Sequence, residues 1–547
     1  MNKIYFVYCL FILALSSCGV SDDKEPNGKN VFRYNESAGI TSLDPAFASN
    51  FENVSAVNQL FNGLVQMNSR LEVTPCIAKS WEISKDGLLY TFHLRNDVYF
   101  HDSPIFEKGI GRRVLASDFV HSFYRIINPR ISSPGAWIFN DVDFSEKSDY
   151  SGFIALDDTT LQIHLKNPFP PFLGILTMQY CSVIPFEVIE VYEDDFRSNP
   201  VGTGPFKFKT WKEGVKLIMV KNDKYFEKDK DQKLPYLDAV SISFIKERQS
   251  EFMEFVSGKF DLLSGLDGAY KDVLLTHDGK LNKQYKEQFD MQSIPFLKTD
   301  YIGILVDEKL KRVKDSPLKI KKIRQAINYG FDRNEMIKYL RNNIGTPAIS
   351  GVIPMGMPSF DAKKVVGYTY KPDSARKLLE EAGYPNGKGL PEITLSTTVV
   401  YQDMSEFIQS QLAEVGIKIK IEVLPTAIHM EQSARARLNM FRKSWVADYP
   451  DAENYLALFY SKNFCPIGPN YTHFKNQRFD QLYERAKWIT NDDERFEIYH
   501  QMEKIILEEA PIIPLYYDQA VRFSAKNVTG LEINPMNLLT LKRVKKS

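Results

Sequence analysis

The chain has 547 residues, of which 44% are hydrophobic and 25% are charged, an ordinary globular mixture in a chain too long for one hydrophobic core. The 69 Lys and Arg residues balance the 69 Asp and Glu residues, which argues against a general binder of nucleic acid or other polyanions. Aromatic residues make up 13% of the chain. This share favours either large mixed sheets or a cleft that binds through aromatic faces.

The N-terminus has the pattern of a targeting segment. Lys3 precedes an apolar run, Ile4 to Leu15, that is too short to span a bilayer comfortably. The run ends in "LSSC" at Cys18, a pattern that resembles the cleavage and lipidation site of bacterial lipoproteins. The polar stretch "GVSDDKEPNGKN" then suits a flexible tether. We therefore predict a signal peptide over 1–17, a lipid anchor on Cys18 and a tether over 18–30; the alternative is an ordinary signal peptide that contains a cysteine.

The remaining cysteines argue against a zinc site. Cys76, Cys181 and Cys465 are far apart and show no C-x-x-C spacing. One disulfide among the three and three free buried thiols are both compatible with the sequence. We predict no metal and no cofactor.

In the first half of the chain, one strand and one helix are predicted from hydrophobic periodicity. Alternation of Leu88, Tyr90, Phe92 and Leu94 predicts a half-buried strand. A helix then begins with Ser117 as its predicted cap, places Phe119, Phe123 and Ile126 on one face, and ends at "NP".

In the second half, Ser316 and Asp332 are each predicted to cap a helix. The clearest unit spans 391–424, where "EITLSTTV" predicts a strand, "DMSEFIQSQLAEVG" a helix that Gly416 ends, and "IKIKIEV" a second strand. A strand, a helix and a strand in this order predict a parallel strand pair. The chain therefore belongs to the α/β class.

The sequence gives no positive sign of catalysis. No G-x-S-x-G, H-E-x-x-H or Walker lysine loop occurs, and "GTGPF" at 202–206 is better explained as a tight turn. The stretch "FRKSWVADYPDAENY" at 441–455 concentrates carboxylates, a cation and aromatic rings. It is compatible with an acid/base pair formed by Asp448 and Glu453, and equally with a clamp for a charged ligand. Asp451 is predicted to cap the helix that follows, with Glu453 as a charge in its first turn.

Several stretches occur in an order that resembles a known family. They are "TSLDPAFASNFENVSAVNQLFNGLV", "PCIAKSWEISKDGLLYTFHLRNDVYFHD", "VGTGPFKF", "LPYLDAVSISFI", "RQAINYGFDR", "SWVADYPDAENYL" and "IYHQMEKIILEEAPIIPLYY". The set resembles the family 5 extracytoplasmic solute-binding proteins of ABC importers, which bind peptides, nickel or haem. The resemblance covers nearly the whole chain after about residue 30.

This resemblance implies a periplasmic-binding-protein-like class II fold, with two lobes, a hinge and an extra inserted domain. The first lobe would comprise 31–61, 195–300 and 517–547, the inserted domain 62–194, and the second lobe 301–516. The hinge would lie near Tyr301 and near 514–517, and the ligand would be enclosed between the lobes.

The resemblance also implies the ligand contacts. In the family's peptide binders the Asp of the W-x-A-D segment meets the peptide's α-amino group, which matches Asp448 here, with Trp445 beside it. Arg442 matches an Arg of some oligopeptide binders and is expected to meet a ligand carboxylate or to hold Asp448 in position. In the first lobe, Ser49 stands where oligopeptide binders have an acidic residue, and Phe51 lies nearby.

The implied function is capture of a small peptide by a monomeric, lipid-anchored protein on the extracytoplasmic or periplasmic face, for delivery to ABC permease subunits, without catalysis and without nucleic acid. Three alternatives remain. One is a binder of another solute, such as a nickel chelate, haem or an oligosaccharide. Another is a carboxylate-dependent hydrolase. The third is a surface-exposed lipoprotein, because "SDDKE" after Cys18 resembles an export signal.

Overall fold

The computed structural model describes residues 30–145 and 152–547 and shows a mixed α/β architecture. The signal peptide and Cys18 predicted from the sequence lie outside these residues. The strands, numbered in chain order, are β1 Val31–Asn35, β2 Val65–Met67, β3 Val73–Pro75, β4 Ala78–Ile83, β5 Leu89–Leu94, β6 Phe153–Asp157, β7 Thr160–His164, β8 Phe206–Lys212, β9 Lys216–Lys221, β10 Lys228–Asp229, β11 Gln232–Lys233, β12 Ala239–Ser243, β13 Leu262–Ser264, β14 Phe289–Ile304, β15 Thr346–Pro347, β16 Ile393–Thr397, β17 Ile419–Val423, β18 Met440–Val446, β19 Ile512–Ala525, β20 Val528–Thr529 and β21 Lys545–Lys546.

The helices lie mostly between these strands. In chain order they are α1 Phe51–Leu60, α2 Ala116–Ile127, α3 Phe172–Ile175, α4 Phe186–Tyr192, α5 Arg248–Val256, α6 Lys271–Leu274, α7 Lys311–Lys314, α8 Lys321–Tyr329, α9 Arg333–Arg341, α10 Pro372–Glu381, α11 Gln402–Glu414, α12 Thr426–Ala434, α13 Glu453–Leu456, α14 Gln477–Ala486 and α15 Asp492–Glu509.

Two long antiparallel strands, β14 and β19, join the two halves of an eleven-stranded sheet. The C-terminal part of β14 pairs with β18, which leads on to β16 and β17, whereas the C-terminal part of β19 pairs with β13, which leads on to β1, β12, β9 and β8. The pairing of β14 with β19 is interrupted between Pro295 and Thr299 and shifts again between Asp300 and Tyr301. These irregularities lie in the region where the hinge is predicted.

The predictions for 391–424 and for Asp332 are confirmed, whereas the α-helix predicted to start at Ser316 begins at Lys321. β16 and β17 run parallel with Ile393 opposite Ile419, and α11 connects them. Gly416 follows the end of α11 with a φ of 95°, a conformation that a residue with a side chain rarely adopts. Asp332 caps α9, since its carboxylate accepts bonds from two backbone N–H groups of the first turn. Ser316 caps a short 3-10 turn that precedes α8.

The inserted segment contains a separate four-stranded sheet, in the order β4-β5-β7-β6. In β5, Tyr90, Phe92 and Leu94 are buried, as the alternation predicts. The predicted cap of α2 is wrong, because Ser117 lies inside the helix. The carboxylate of Asp118 accepts from the backbone N–H of Leu115 instead, and Leu115 is the N-cap residue, two residues earlier than predicted.

The hydrophobic cores follow the same division. The largest cluster joins the inserted segment to β1, α1, β8, β9 and the C-terminal residues. Two other clusters consist mainly of residues of 297–516, and one of them also includes Met536. Cys76, Cys181 and Cys465 are buried free thiols, which decides the alternative that the sequence left open. Among the described residues, no helix combines the length and apolarity needed to cross a bilayer.

Candidate ligand-binding site

Strand β18 carries two of the predicted site residues on opposite faces. It pairs with the C-terminal part of β14, with Trp445 opposite Thr299 and Ser444 opposite Asp300. Because side chains alternate along a strand, Trp445 and Arg442, three residues apart, point to different sides of the sheet. Their hydrogen bonds and ring contacts agree with this geometry and fall into two separate groups.

On the Trp445 side, Asn454 joins the predicted ligand residues. Its amide oxygen accepts from the indole Nε1 of Trp445 at 2.8 Å and from the backbone N–H of Asp448 at 3.2 Å. Its amide nitrogen donates to Oδ2 of Asp448 at 3.1 Å. Asn454 itself is buried in α13. One side chain therefore orients both Trp445 and Asp448, and the sequence analysis did not identify it.

The Asp448 carboxylate lies in a setting that favours a cationic partner. Burial raises the pKa of Asp448, and the hydrogen bond from Asn454 offsets only part of this effect. Burial and the Asp448 charge together raise the pKa of Tyr180 to about 12, which places this tyrosine of the inserted segment beside the carboxylate. A ligand ammonium at this position would satisfy a buried charge that has one hydrogen-bonding side-chain partner among the described residues.

Side chains of the inserted segment form the opposite wall around Asp448. The rings of Trp137 and Tyr449 lie 6.2 Å apart, and Nζ of Lys487 lies 5.3 Å from the centre of the Phe169 ring. These contacts join residues that precede 195 to residues of 301–516. Asp448 therefore lies at an interface between the inserted segment and the second half of the chain.

The loop that precedes α1 approaches the same region. Gln179, next to Tyr180, donates to the carbonyl oxygen of Ala48 at 2.6 Å, so the exposed Ser49 that follows lies close to this wall. Phe51, at 37% exposure, instead lines a cavity of about 210 Å³ within the first half of the chain. The structure thus brings Ser49 nearer to the Asp448 region and places Phe51 at a second site.

Arg442 belongs to a buried ion network on the other face of β18. It forms an ion pair with Asp300, which is fully buried, and Lys298 lies 3.2 Å from the same carboxylate. Lys298 also pairs with Asp518 at 2.8 Å, and Arg341 reaches Asp518 at 2.5 Å. Three cations and two carboxylates thus connect β18, β14, β19 and the end of α9.

The Asp518 carboxylate of this network is held in its ionised form. Burial alone would raise the pKa of Asp518, but the neighbouring Lys298 and Arg341 lower it to about 2. Burial lowers the pKa of Arg442 to about 10, and its guanidinium carbon lies 3.2 Å from the centre of the Tyr401 ring. Among the described residues, Arg442 makes no hydrogen bond or ion pair to Asp448. Its predicted role in holding Asp448 therefore has no support in these contacts, and its predicted contact with a ligand stays a prediction.

The two acidic residues after Asp448 have structural roles. The predicted cap at Asp451 is one residue too early, because Ala452 is the N-cap of α13. The Asp451 carboxylate still accepts from the backbone N–H of Glu453 and pairs with Arg495 at 3.0 Å. Glu453 lies in the first turn of α13, as predicted, but it is not a solvated charge. It is 5% exposed, and its carboxylate is enclosed between the hydroxyl groups of Tyr449 and Tyr483.

A polar cavity of about 370 Å³ adjoins this region on the first-lobe side. Met178 and Gln179, next to Tyr180, form one part of its wall, and Asn534 and Leu538 of the C-terminal segment form another. Leu538 also packs against the core that contains Tyr455 and the partly buried Trp445. The cavity therefore offers space for a solute beside the Asp448 region.

The order of sequence motifs and this architecture agree with a comparison against known proteins. The sequence model described as "Bacterial extracellular solute-binding proteins, family 5 Middle" matches residues 72–464. The chain belongs to family 5 of the bacterial extracellular solute-binding proteins. The family resemblance and the two-lobed α/β fold inferred from the sequence are confirmed, and members of this family bind solutes rather than transform them.

Individual relatives support the same assignment over nearly the whole chain. The dipeptide-binding protein DppE of Bacillus subtilis (strain 168) is 28% identical, with 96% of this chain and 93% of the relative covered. The glutathione-binding protein GsiB of Shigella flexneri serotype 5b is 26% identical, with 91% of each chain covered. The periplasmic binding protein DppA of Helicobacter pylori, solved with the peptide STSA, is 27% identical with a TM-score of 0.78 and covers 94% of this chain and 98% of its own.

Proposed function

We propose that this family 5 protein is the extracytoplasmic receptor of an ABC importer and that it captures small peptides between its lobes. The observation that carries the proposal is the Asp448 carboxylate, partly buried beside residues of the inserted segment and oriented by Asn454. The relatives include a dipeptide binder, a glutathione binder and a binder solved with STSA, and they support a peptide-like solute.

In this proposal the peptide's α-ammonium donates to Asp448, and the indole of Trp445 covers the adjoining part of the ligand. A buried ammonium must be paired to offset its desolvation, and each charge-assisted hydrogen bond contributes about 1.5–3 kcal/mol. Ser49 lies on the facing loop and supplies a polar contact. Many peptides fit one site of this kind when main-chain groups are recognised and side chains occupy roomy cavities.

The lobes we propose are 31–61 with 195–300 and 517–547, and 301–516, with 62–194 inserted. The pairing irregularity in β14 supports a hinge near Tyr301, since the strands flanking it belong to different halves of the sheet. Closure follows when a ligand binds the closed form more tightly than the open form.

We further propose that Cys18 carries a lipid anchor and that the monomeric receptor acts at the membrane surface. The "LSSC" motif and the polar tether after it support this assignment. A Cys18→Ser variant is expected to move from the membrane fraction to the soluble fraction and to lose incorporation of labelled palmitate. Retention of both in the variant would contradict lipid anchoring at this residue.

The peptide proposal is tested by measuring what the purified protein binds. Native mass spectrometry of freshly purified protein is expected to reveal co-purified peptides, and added tri- and tetrapeptides are expected to raise the melting temperature. At a hundredfold excess over Kd, a ligand stabilises the folded form by about 2.7 kcal/mol. N-acetylated peptides are the matched controls. Stabilisation by a nickel–histidine chelate or an oligosaccharide but not by any peptide would overturn the proposal.

A further inference from the structure

A second cavity, of about 210 Å³, lies wholly within the first lobe. Its lining residues come from β1, α1, α5, β13, β19 and the C-terminal segment, and every one of them precedes 301 or follows 517. Asp448 and Trp445 do not line it. A volume of this size holds roughly seven water molecules at about 30 Å³ each, enough for a small polar group with a short carbon chain.

The cavity lies at the carboxyl end of a parallel strand group. β1 runs parallel to β12 on one side and to β13 on the other. Glu36 directly follows β1, Arg248 opens the helix after β12, and Ser264 is the last residue of β13. The side chain of Asn35 bonds to both backbone groups of Ile245 and so fixes the end of β1 against the end of β12. Ligands in open α/β sheets bind outside the carboxyl ends of the strands.

The charge around the cavity is unbalanced. Glu36, Glu52 and Glu251 line it together with Arg248 and Arg522, so its lining carries one surplus negative charge. The two arginines are already engaged. Arg248 pairs with Glu251 at 2.9 Å, and Arg522 donates to Asn537 and to backbone carbonyl oxygens.

Two carboxylates remain without such partners. Among the described residues, neither Glu36 nor Glu52 has a side-chain hydrogen bond or an ion pair. Burial, followed by the charges of Glu52 and Glu251, raises the pKa of Glu36 to about 8, against the opposing effect of Arg248. The site is therefore electrostatically unfavourable when it is empty, and a cation would relieve the repulsion.

A separate observation points to a ligand. Tyr34 is 3% exposed and lines this cavity, and its hydroxyl group has no hydrogen-bond partner among the described residues. Its pKa is raised well above its ordinary value by burial and then by the charge of Glu36. The hydroxyl group can therefore donate a hydrogen bond to, or accept one from, a ligand in the cavity.

The chemistry of the cavity selects the type of cation. In the described part of the chain, no group of three His, Cys, Asp or Glu side chains is placed to hold a metal ion. The carboxylates are spread around a space of about 210 Å³, which matches the reach of an ammonium group with several N–H donors on a short alkyl chain. We propose that this first-lobe cavity is a binding site for a primary alkylammonium group, held by Glu36 and Glu52 with Tyr34.

The ammonium group has two possible sources. One source is the lysine side chain of a captured peptide, because Leu539 lines both this cavity and the cavity of about 370 Å³ near Asp448. The other source is a free amine that binds independently of any peptide. The cavity proposal does not rest on the peptide proposal, since an alkylammonium group can be carried by many solutes.

The first experiment uses n-butylammonium as the probe and the full mature chain as the protein, observed by ligand-detected NMR titration. Binding is expected to weaken at least tenfold in Glu36→Gln and to stay unchanged in Glu392→Gln, an exposed control in the second lobe. The neutral analogue n-butanol is expected to bind equally weakly to both variants. Absence of n-butylammonium binding, or equal affinity in Glu36→Gln, overturns the proposal.

Folding controls keep this result interpretable. Glu36→Gln removes a repelled carboxylate without changing shape, so its melting temperature is expected to match or exceed that of the parent. Tyr34→Phe removes only the hydroxyl group and is expected to weaken n-butylammonium binding several-fold. Unchanged binding in Tyr34→Phe would remove this hydroxyl from the site.

A second experiment distinguishes the two sources. The peptides Ala-Lys-Ala and Ala-norleucine-Ala differ mainly in the ammonium group of the central side chain. If a peptide supplies the group, Glu36→Gln lowers the affinity for the lysine peptide at least tenfold and the affinity for the norleucine peptide less than twofold. In that case the lysine peptide also displaces n-butylammonium. If a free amine is the ligand, n-butylammonium and Ala-Lys-Ala bind together. Either result supports the cavity, and n-butylammonium reports on it even if no peptide binds.

Discussion

Asp448→Asn provides the sharpest test of the proposed peptide clamp. The substitution keeps the size and shape of the side chain, and its amide oxygen can still accept from Asn454, which now donates at 3.1 Å. What it removes is the negative charge. Because burial raises the pKa of Asp448, the charge destabilises the unliganded fold, so the melting temperature without ligand is expected to stay equal or rise.

Ligand affinity is expected to fall strongly. A charge-assisted hydrogen bond contributes about 1.5–3 kcal/mol, which corresponds to a loss of roughly 10- to 150-fold in affinity for a peptide with a free α-ammonium group. An N-acetylated peptide lacks this group and is expected to bind weakly and equally to the parent and to Asp448→Asn. Isothermal titration with both peptides against both proteins completes a double-mutant cycle.

Asp451→Asn is the matched control, because it removes the same charge three residues away. Asp451 pairs with Arg495 at 3.0 Å and accepts from the hydroxyl of Tyr499, so its loss is expected to cost roughly 3 kcal/mol of unfolding free energy. The folded variant is expected to bind peptide normally. Normal affinity in Asp448→Asn, or additive effects of Asp448→Asn and acetylation, would refute the assignment of Asp448 as the ammonium partner.

Three further outcomes are expected. Asn454→Ala is expected to weaken peptide binding about tenfold in titration calorimetry, because Trp445 and Asp448 lose their shared partner. Arg442→Met is expected to lower the free energy of unfolding, measured in urea, by about 3 kcal/mol, because the buried carboxylate of Asp300 is left with Lys298 as its cation. If the variant instead loses the ability to discriminate between peptides with free and amidated C-termini, Arg442 contacts the ligand. Burial raises the pKa of Glu503 from 4.5 to about 8, so Glu503→Gln is expected to gain about 1.4 kcal/mol per pH unit over the parent as pH rises through this window; equal pH profiles in urea titrations would contradict this.

The local parts of the fold were predictable because their signals are local. In the unit over 391–424, apolar residues recur every two residues in the strands and about every 3.6 residues in the helix, and a glycine follows the helix. Each of these signals involves only neighbouring residues. Asp332 likewise caps its helix with bonds to the next turn. The prediction for Ser117 failed because the carboxylate of the neighbouring Asp118, in the first turn of α2, accepts from the backbone N–H of the N-cap residue Leu115.

The first-turn position of Glu453 was predicted correctly, but its burial was not foreseen. A glutamate in the first turn of a helix is usually exposed and interacts with the helix dipole. Here two hydroxyl groups, from Tyr449 and from Tyr483, enclose the carboxylate. The second tyrosine lies thirty residues away in the chain, so no short-range pattern announces the burial. The same enclosure removes Glu453 from the acid/base pair that the hydrolase alternative requires.

The segment "FRKSWVADYPDAENY" therefore divides into two functional parts, and the division depends on long-range pairing. As part of β18, it directs Arg442 towards Asp300 on the neighbouring hinge strand and directs Trp445 towards Asn454. The register that separates them is set by pairing with β14, more than 100 residues earlier, and cannot be read from the segment alone. Since one strand carries both groups, hinge movement of β14 is mechanically linked to the position of the clamp. In the proposed function, closure around a ligand would therefore move the Asp448 loop, which directly follows β18, together with the strand that holds the ion network.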